Sequence, residues 1–363
     1  MYIKKWGRVI NVLDYYLFPI SYAFLTFPIA AMLCAIPILV LQYRKHGYFN
    51  KFRGVLLYLF LLYLMNALYL VILPMPASRH NAPMSSCAQL IPFNFIQDIM
   101  AETRVVWSDP STYVRLIKER AFLQVVFNIA LVVPFGMFMR YYLRKSWLTC
   151  LVASLGLSLF FEVTQVTGIY GFYDYPYRLF DVDDLFLNTL GGMIGFVMAR
   201  WASSHLPRLD QEVDLSQKRV SYTRRAIAFM VDWIVLVPVV LLLGVLNVPG
   251  AYFLATSVYF VLIPYLNGGR TLGKALVRIR ITGAGEHLSL REIGIRNGLL
   301  YLVFGGVHVL FMNLYFPGIL GPMYLVGLFL MDACVFVHVL VCLFGRKQRL
   351  LHEQKSGTDH AIT

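Results

Sequence analysis

Long apolar runs, broken by short basic or proline-bearing intervals, set the pattern of this chain. A helix that crosses a bilayer needs about 20 apolar residues. The runs predict nine crossings, at about 20–43, 54–73, 122–142, 147–168, 184–202, 226–246, 251–266, 297–315 and 319–344. The first apolar stretch, 9–41, is interrupted by Asp14, Pro19, Pro28 and Pro37. It is too long for one crossing, so an interfacial helix to about Phe18 followed by the first span is expected. It has no A-x-A site and its apolar length exceeds that of a cleavable leader, so it is expected to stay as a membrane segment.

Between the second and third runs lies an interval far longer than ordinary loops. It holds Leu90 to Asp98, apolar but broken by Pro92, which is expected to lie on the membrane or re-enter it. Residues 203–219 are the one long polar stretch in the middle of the chain, and they divide it into units 1–202 and 220–363. Val277 to Thr282 alternates apolar and basic residues, the period of a short interfacial strand.

Composition sharpens this picture. Hydrophobic residues make up 59% of the chain and charged residues 14%, against about 25% charged in soluble domains. The expected fold is therefore all-α, a polytopic transmembrane helical bundle in two units. The formal charge of +13 does not point to nucleic acid. The Lys and Arg residues sit at span ends, and no basic domain with interleaved aromatics remains. The five cysteines form no CxxC pair, so neither a disulfide framework nor a thiolate zinc site is expected.

The Lys/Arg bias orients the chain. The intervals 44–53, 140–145, 200–225 and 270–296 and the tail are basic and are assigned to the cytoplasm. The intervals 75–118, 169–182, 247–250 and 316–319 then lie outside. Only the basic N-terminus, with Lys4, Lys5 and Arg8, conflicts. The expectation is a multi-pass cell-membrane protein, surrounded by lipid, with a cytoplasmic C-terminus.

Candidate chemistry concentrates in residues 162–195. Acids beside a span are costly and usually have partners or a function. At 100° per residue, Asp181, Asp184, Asn188, Gly191, Gly192 and Gly195 share one helical face, while Asp183 points away. A polar face continuing into glycines is a face pressed against another helix. Ser154, Ser158, Glu162 and Gln165 form a stripe on the preceding span, and Arg120, Gln124 and Asn128 recur every four residues on the span before that. With the orientation above, this cluster opens outward.

Two readings of the cluster stand. One is an interhelical lock, in which Glu162 or Asp181 pairs with Arg178 or Arg120 while Asn128 and Asn188 bond across spans. The other is a pocket for a hydroxyl- or amide-rich head group, built from Asn128, Glu162, Gln165, Arg178, Asp181, Asp184 and Asn188. No cofactor or metal is expected, because Asp183 faces away from the other acids and no nucleophile or phosphate-loop motif occurs. In the second unit, Arg225, Asp232, Lys274, Arg296 and His352 gather at the cytoplasmic side. Arg225 and Asp232 share a face and are expected to pair, although an intramembrane Asp is also a default transport candidate. Asp332 is expected to cap the start of its span or join a buried pair. The run Gly269-Arg270-Thr271-Leu272-Gly273-Lys274 lacks phosphate-loop spacing.

Several of these pieces resemble the VanZ-like membrane family over about residues 20–202. They are Asn128…Pro134-Phe135-Gly136, Glu162-Val163-Thr164-Gln165, Arg178…Asp181-Val182-Asp183-Asp184, Asn188…Gly191-Gly192…Gly195 and Ile91-Pro92-Phe93-Asn94. Residues of about 220–358 resemble the RDD family, through Arg224-Arg225, Asp232, Gly273-Lys274, Arg296 and His352-Glu353…Gly357-Thr358. The first resemblance implies a link to low-level teicoplanin-type glycopeptide resistance, and the second a transport role suggested for some members. The leading expectation is a non-enzymatic unit that binds a lipoglycopeptide or a lipid-linked cell-wall precursor at the outer leaflet. The alternatives are a transporter or ion exchanger working through the second unit, and a membrane enzyme acting on polyprenyl-linked lipids.

Overall fold

A computed structural model describes residues 2–5, 8–106, 108–207, 209, 220–285, 288–313, 320–345 and 349–363. Most of the polar stretch 203–219 and the 316–319 interval lie outside the described residues. The fold is an all-α polytopic bundle, with eight described helices long and apolar enough to cross a membrane. The predicted crossing at 251–266 is a shorter apolar helix. Its 16 residues span about 24 Å at 1.5 Å each, short of a hydrocarbon core of about 30 Å. The chain divides into two units, residues 1–35 with 51–211, and residues 36–50 with 212–363.

The first unit opens with an antiparallel hairpin, β1 (Tyr2–Lys5) and β2 (Arg8–Asn11). The helix α1 (Val12–His46) then runs unbroken past Pro19, Pro28 and Pro37. The expected split into an interfacial helix and a span does not occur. Prolines are tolerated in apolar spans because the freed backbone groups can be satisfied locally, whereas a break in lipid would leave more of them bare. The part of it up to Ala35 belongs to the first unit and the shorter remainder, from Ile36, to the other.

Next come α2 (Lys51–Ile72), β3 (Ala88–Gln89) and α3 (Asn94–Glu102). A 3₁₀ helix (Pro110–Lys118) leads into α4 (Arg120–Tyr141) and α5 (Trp147–Val166). A tight turn, α6 (Gly168–Gly171), and β4 (Phe180–Asp181) precede α7 (Val182–Ala202).

The long interval between α2 and α4 is tied to the α5–α7 connector. β3 pairs in parallel with β4, Ala88 against Phe180 and Gln89 against Asp181. The Asn81 amide both donates to the Tyr175 carbonyl (2.8 Å) and accepts from the Tyr175 N–H (2.9 Å).

The glycine face of α7 meets α4. A Cβ at Gly191 would overlap the Ile129 carbonyl, one at Gly195 the Val133 carbonyl, and one at Gly136 the Gly192 carbonyl. Small residues therefore set the approach of these two backbones, the close packing that such residues allow between membrane helices.

The second unit is built on α8 (Tyr222–Val245). It is followed by α9 (Ala251–Ser257), a π turn at Val258–Leu262, and α10 (Ile263–Leu266). Then come α11 (Leu272–Leu276), β5 (Ile279–Thr282) and α12 (Leu290–Asn297). A π segment (Gly298–Gly305) joins α12 to α13 (Gly306–Asn313). α14 (Leu320–Phe344), α15 (Leu351–Ser356) and β6 (Asp359–Ile362) complete it.

The predicted strand at 277–282 forms as β5, and its antiparallel partner is the C-terminal β6. One buried cluster gathers Tyr43, Ile227, Ala228, Val277 and Ile279, and another gathers Leu236, Ala255, Phe260 and Tyr301. Arg224, 2% exposed, spends its guanidinium on backbone carbonyls at Val277 (2.6 Å), Gly47 (2.9 Å) and Arg278 (2.9 Å).

Candidate functional site: a polar pocket at the start of α4 and α7

α4 and α7 both begin at the same end of the first unit, and α3 lies across that end. Between them is an open pocket of about 440 Å³. α3 contributes Phe95, Asp98, Ala101 and Glu102; α4 contributes Arg120, Gln124 and Asn128; and the start of α7 contributes Asp181, Asp183 and Asp184. Asn128 sits eight residues into α4, about 12 Å below its first turn. The pocket thus reaches into the bundle.

Each acid at this end has a defined task. Asp183, 2% exposed, accepts the Phe93 N–H (2.6 Å) on one oxygen and the Phe95 N–H (3.0 Å) on the other. These amides stand at the start of α3, where unsatisfied N–H groups favour a carboxylate. Phe93 itself adopts φ 61°, a left-handed conformation that costs a β-carbon residue about 1–2 kcal/mol. The paired bonds to Asp183 hold it there.

Glu102 does the same for α4, accepting the N–H groups of Arg120 (3.2 Å) and Ala121 (2.9 Å). Asp181 caps α7 by accepting the Asp183 N–H (2.9 Å), and its own N–H donates to Glu162 (2.9 Å). Burial raises the Asp181 carboxyl above its ordinary range, and the bond from Asp183 offsets part of that rise.

The two asparagines bond across spans, as the lock reading expects. The Asn128 amide donates to the Asp184 carboxylate. Asn188 donates to the Ser158 hydroxyl (2.9 Å), which in turn donates to the Asp184 carbonyl (3.2 Å). Among the predicted binding residues, Asn128, Asp181 and Asp184 line the pocket. Glu162 stands behind them, buried, on the Asp181 N–H. Gln165 donates to the Val71 carbonyl (2.9 Å) and Arg178 to the Leu73 carbonyl (3.4 Å), so both tie the site to α2 and its exit.

Asp181 has φ −124° and ψ 119°, outside the helix. A helical projection therefore does not place it; the β4 pairing and the cap do. Asp98, Glu102 and Phe95 were not singled out as site residues from the sequence. Their spacing of three and four within a Pro-broken apolar stretch is the signal that carries them.

Chemically, the pocket is rich in acceptors, with five carboxylates and two side-chain amides against one guanidinium. Such a lining suits ligands that offer N–H and O–H groups. Among the described residues, the lining contains no hydroxyl, thiol or imidazole. No His/Cys/Asp/Glu group with metal-like placement occurs among the described residues.

The second unit gathers its predicted residues differently. Arg225 pairs with Glu353 (2.9 Å), not with Asp232. Seven residues place Asp232 about 10 Å along the helix axis from Arg225, and the tail brings a nearer carboxylate. Arg296 reaches the same Glu353 oxygen at 2.8 Å. Asp232 accepts from the Tyr259 hydroxyl (2.8 Å), the Thr271 hydroxyl (2.7 Å) and the Gly273 N–H (2.7 Å). The Lys274 ammonium stands 3.9 Å away.

Burial brings Lys274 down to about 8, with Asp232 opposing the shift. Burial, helped by Arg296, lowers His352 to about 4. It is the neighbouring Glu353, rather than His352, that both arginines grip. Asp332 lies 3.1 Å from the His308 imidazole, but its side chain is half exposed, so the pair is not the buried one expected.

A bundle of membrane-crossing helices with a polar pocket at one end defines a polytopic integral membrane protein with a candidate binding site. Residues 60–203, from within α2 to just past the end of α7, match the model of the VanZ/LLP1 family, so this stretch is VanZ-like. The match ends before α8. No curated protein and no solved structure matches the chain.

Proposed function

We propose that the first unit is a non-enzymatic recognition module that opens to the exterior. It binds a lipoglycopeptide, or the lipid-linked wall precursor that such a drug targets, and thereby contributes to low-level teicoplanin resistance. The observation that carries this reading is the acceptor-rich pocket formed by Asn128, Asp181, Asp184, Asp98 and Glu102 in a VanZ-like stretch. Peptide and sugar head groups offer the complementary N–H and O–H donors. The exterior placement follows from the Lys/Arg bias of the other helix ends.

The test uses Asp184→Asn and Glu162→Gln, which keep shape and replace one acceptor oxygen with an amide donor. At normal expression both variants are expected to lose protection against teicoplanin in cells. Undiminished protection in both would sink the proposal.

A second reading concerns the second unit, which resembles RDD proteins. Asp232 and Lys274 form a buried pair, and burial lowers the Lys274 ammonium from its ordinary range. An ion or proton exchanger needs such a group. Flux in proteoliposomes that disappears on Asp232→Asn supports exchange; flux that survives the substitution removes this site from it.

A further inference from the structure

α3 has two faces with different company. Phe95, Asp98, Ala101 and Glu102 line the pocket. On the opposite side of the same helix, Ile96 is 46% and Met100 62% exposed. The segment leading into α3 continues that apolar side, with Leu90, Ile91 and Phe93 each about 60% exposed. The nearby 3₁₀ helix repeats the arrangement. Val114 and Ile117, three apart and so eclipsed on one stripe, are both more than 60% exposed.

The height of α3 relative to the bilayer is set by two contacts. Asp183 grips its first amides, and the Phe93 ring lies parallel to Phe186 with centroids 6.0 Å apart. Asp183 and Phe186 both belong to the opening of α7. α7 has 21 residues, about 32 Å of helix against a hydrocarbon core of about 30 Å. Its first turn therefore cannot stand far above the hydrocarbon boundary. Phe186 is itself half exposed and begins a lipid-facing stripe that continues through Leu190, Ile194 and Val197. The apolar side of α3 is the upper continuation of that stripe.

We infer that α3 is embedded in the leaflet and that the pocket is loaded sideways from the bilayer. The ligand is an amphiphile: its head enters between α3 and α4, and its hydrocarbon chain stays against Phe93, Ile96 and Met100. This inference rests on the recognition reading above and adds to it the requirement for a chain and the route of entry. A lipid-linked glycopeptide precursor and an acylated glycopeptide share this chemistry. A water-soluble head group alone lacks half of the contact.

Two measurements on the full chain test the inference. In the first, single spin labels replace Ile96 or Met100 in a cysteine-substituted background, and the protein is reconstituted in phosphatidylcholine vesicles. Collisions with oxygen should dominate over those with an aqueous nickel chelate. Labels that respond mainly to the nickel chelate put α3 in water and overturn the inference.

In the second, capture of four probes is compared: polyprenyl-linked disaccharide pentapeptide, its tailless form, teicoplanin and deacylated teicoplanin. The tailed probe of one pair, which identifies the source, should bind roughly tenfold or more tighter than its tailless form, given the gain per buried methylene. That advantage should vanish in Ile96→Asp/Met100→Asp, whose sites are exposed. Equal capture of tailed and tailless probes by the wild type overturns the sideways route and leaves the recognition reading standing. Capture of neither tailed probe overturns both.

Discussion

Asp183 and Glu353 are both buried acids, 2% and 1% exposed, yet they are satisfied by opposite means. Asp183 in the first unit takes two backbone N–H groups. Glu353 in the second takes two guanidinium groups and approaches the His360 imidazole at 3.3 Å. The amide-held acid positions a loop through main-chain donors. Guanidinium-held acids are neutralised, and the result is a closed lock. Burial would raise Glu353, but His360, Arg296 and Arg225 together hold it well below the usual carboxylate range. The first arrangement suits a site that awaits a ligand; the second suits a fastening of the C-terminal strand.

Breaking the lock should have the largest effect. Glu353→Ala leaves the buried Arg296 guanidinium and the partly buried Arg225 without their carboxylate, which costs about 3–5 kcal/mol. Limited proteolysis should then release the α15–β6 segment, and an undisturbed tail would contradict the comparison. In the first unit, Asp183→Ala removes two charge-assisted bonds, a local loss of roughly 1.5–3 kcal/mol each. Hydrogen exchange should show lost protection confined to 93–98, with the spans untouched. Gly191→Ala drives a Cβ into the Ile129 carbonyl and should cost about 1–3 kcal/mol, read as a lower thermal midpoint in detergent.

The smallest effect is in pH. His352 is held down to about 4 in the folded chain, against 6.5 when free. The unfolded tail therefore binds a proton first. Its stabilising share is full above 6.5 and is lost as pH falls toward 4. Exchange at β5 and β6 should quicken across that window, and in Glu353→Ala, where the tail is already released, no window should remain.

The helical part of this architecture was legible because lipid imposes a length and a composition on every crossing, and because Gly191, Gly192 and Gly195 recur on one face. The same periodicity turned Asp183 away from that face, yet the structure places it in the pocket lining beside Asp181 and Asp184. The periodicity could not show where Asp183 goes, because its partners are main-chain amides about 90 residues earlier, and amides leave no mark in a pattern of side chains. The pairing of Arg225 failed for a related reason. Helical spacing sees only its own helix, whereas Glu353 arrives from the end of the chain. The unbroken α1 was hidden by three prolines that would end a helix in water. Asn128 and Asp184 sit within regular helix, so a helical projection describes them, whereas Asp181 sits one residue before it.

Because Asp183 holds α3 through backbone amides alone, it is indifferent to the side chains at 93 and 95. The wall of the pocket can therefore change its identity at Phe95 or Asp98 without loosening the latch that keeps it in place. A family using this arrangement could shift from one head group to another by single substitutions on α3, while the helices beneath stay as they are. Variation concentrated on one face of a nine-residue helix, over an unchanging aspartate, is the record such a history would leave.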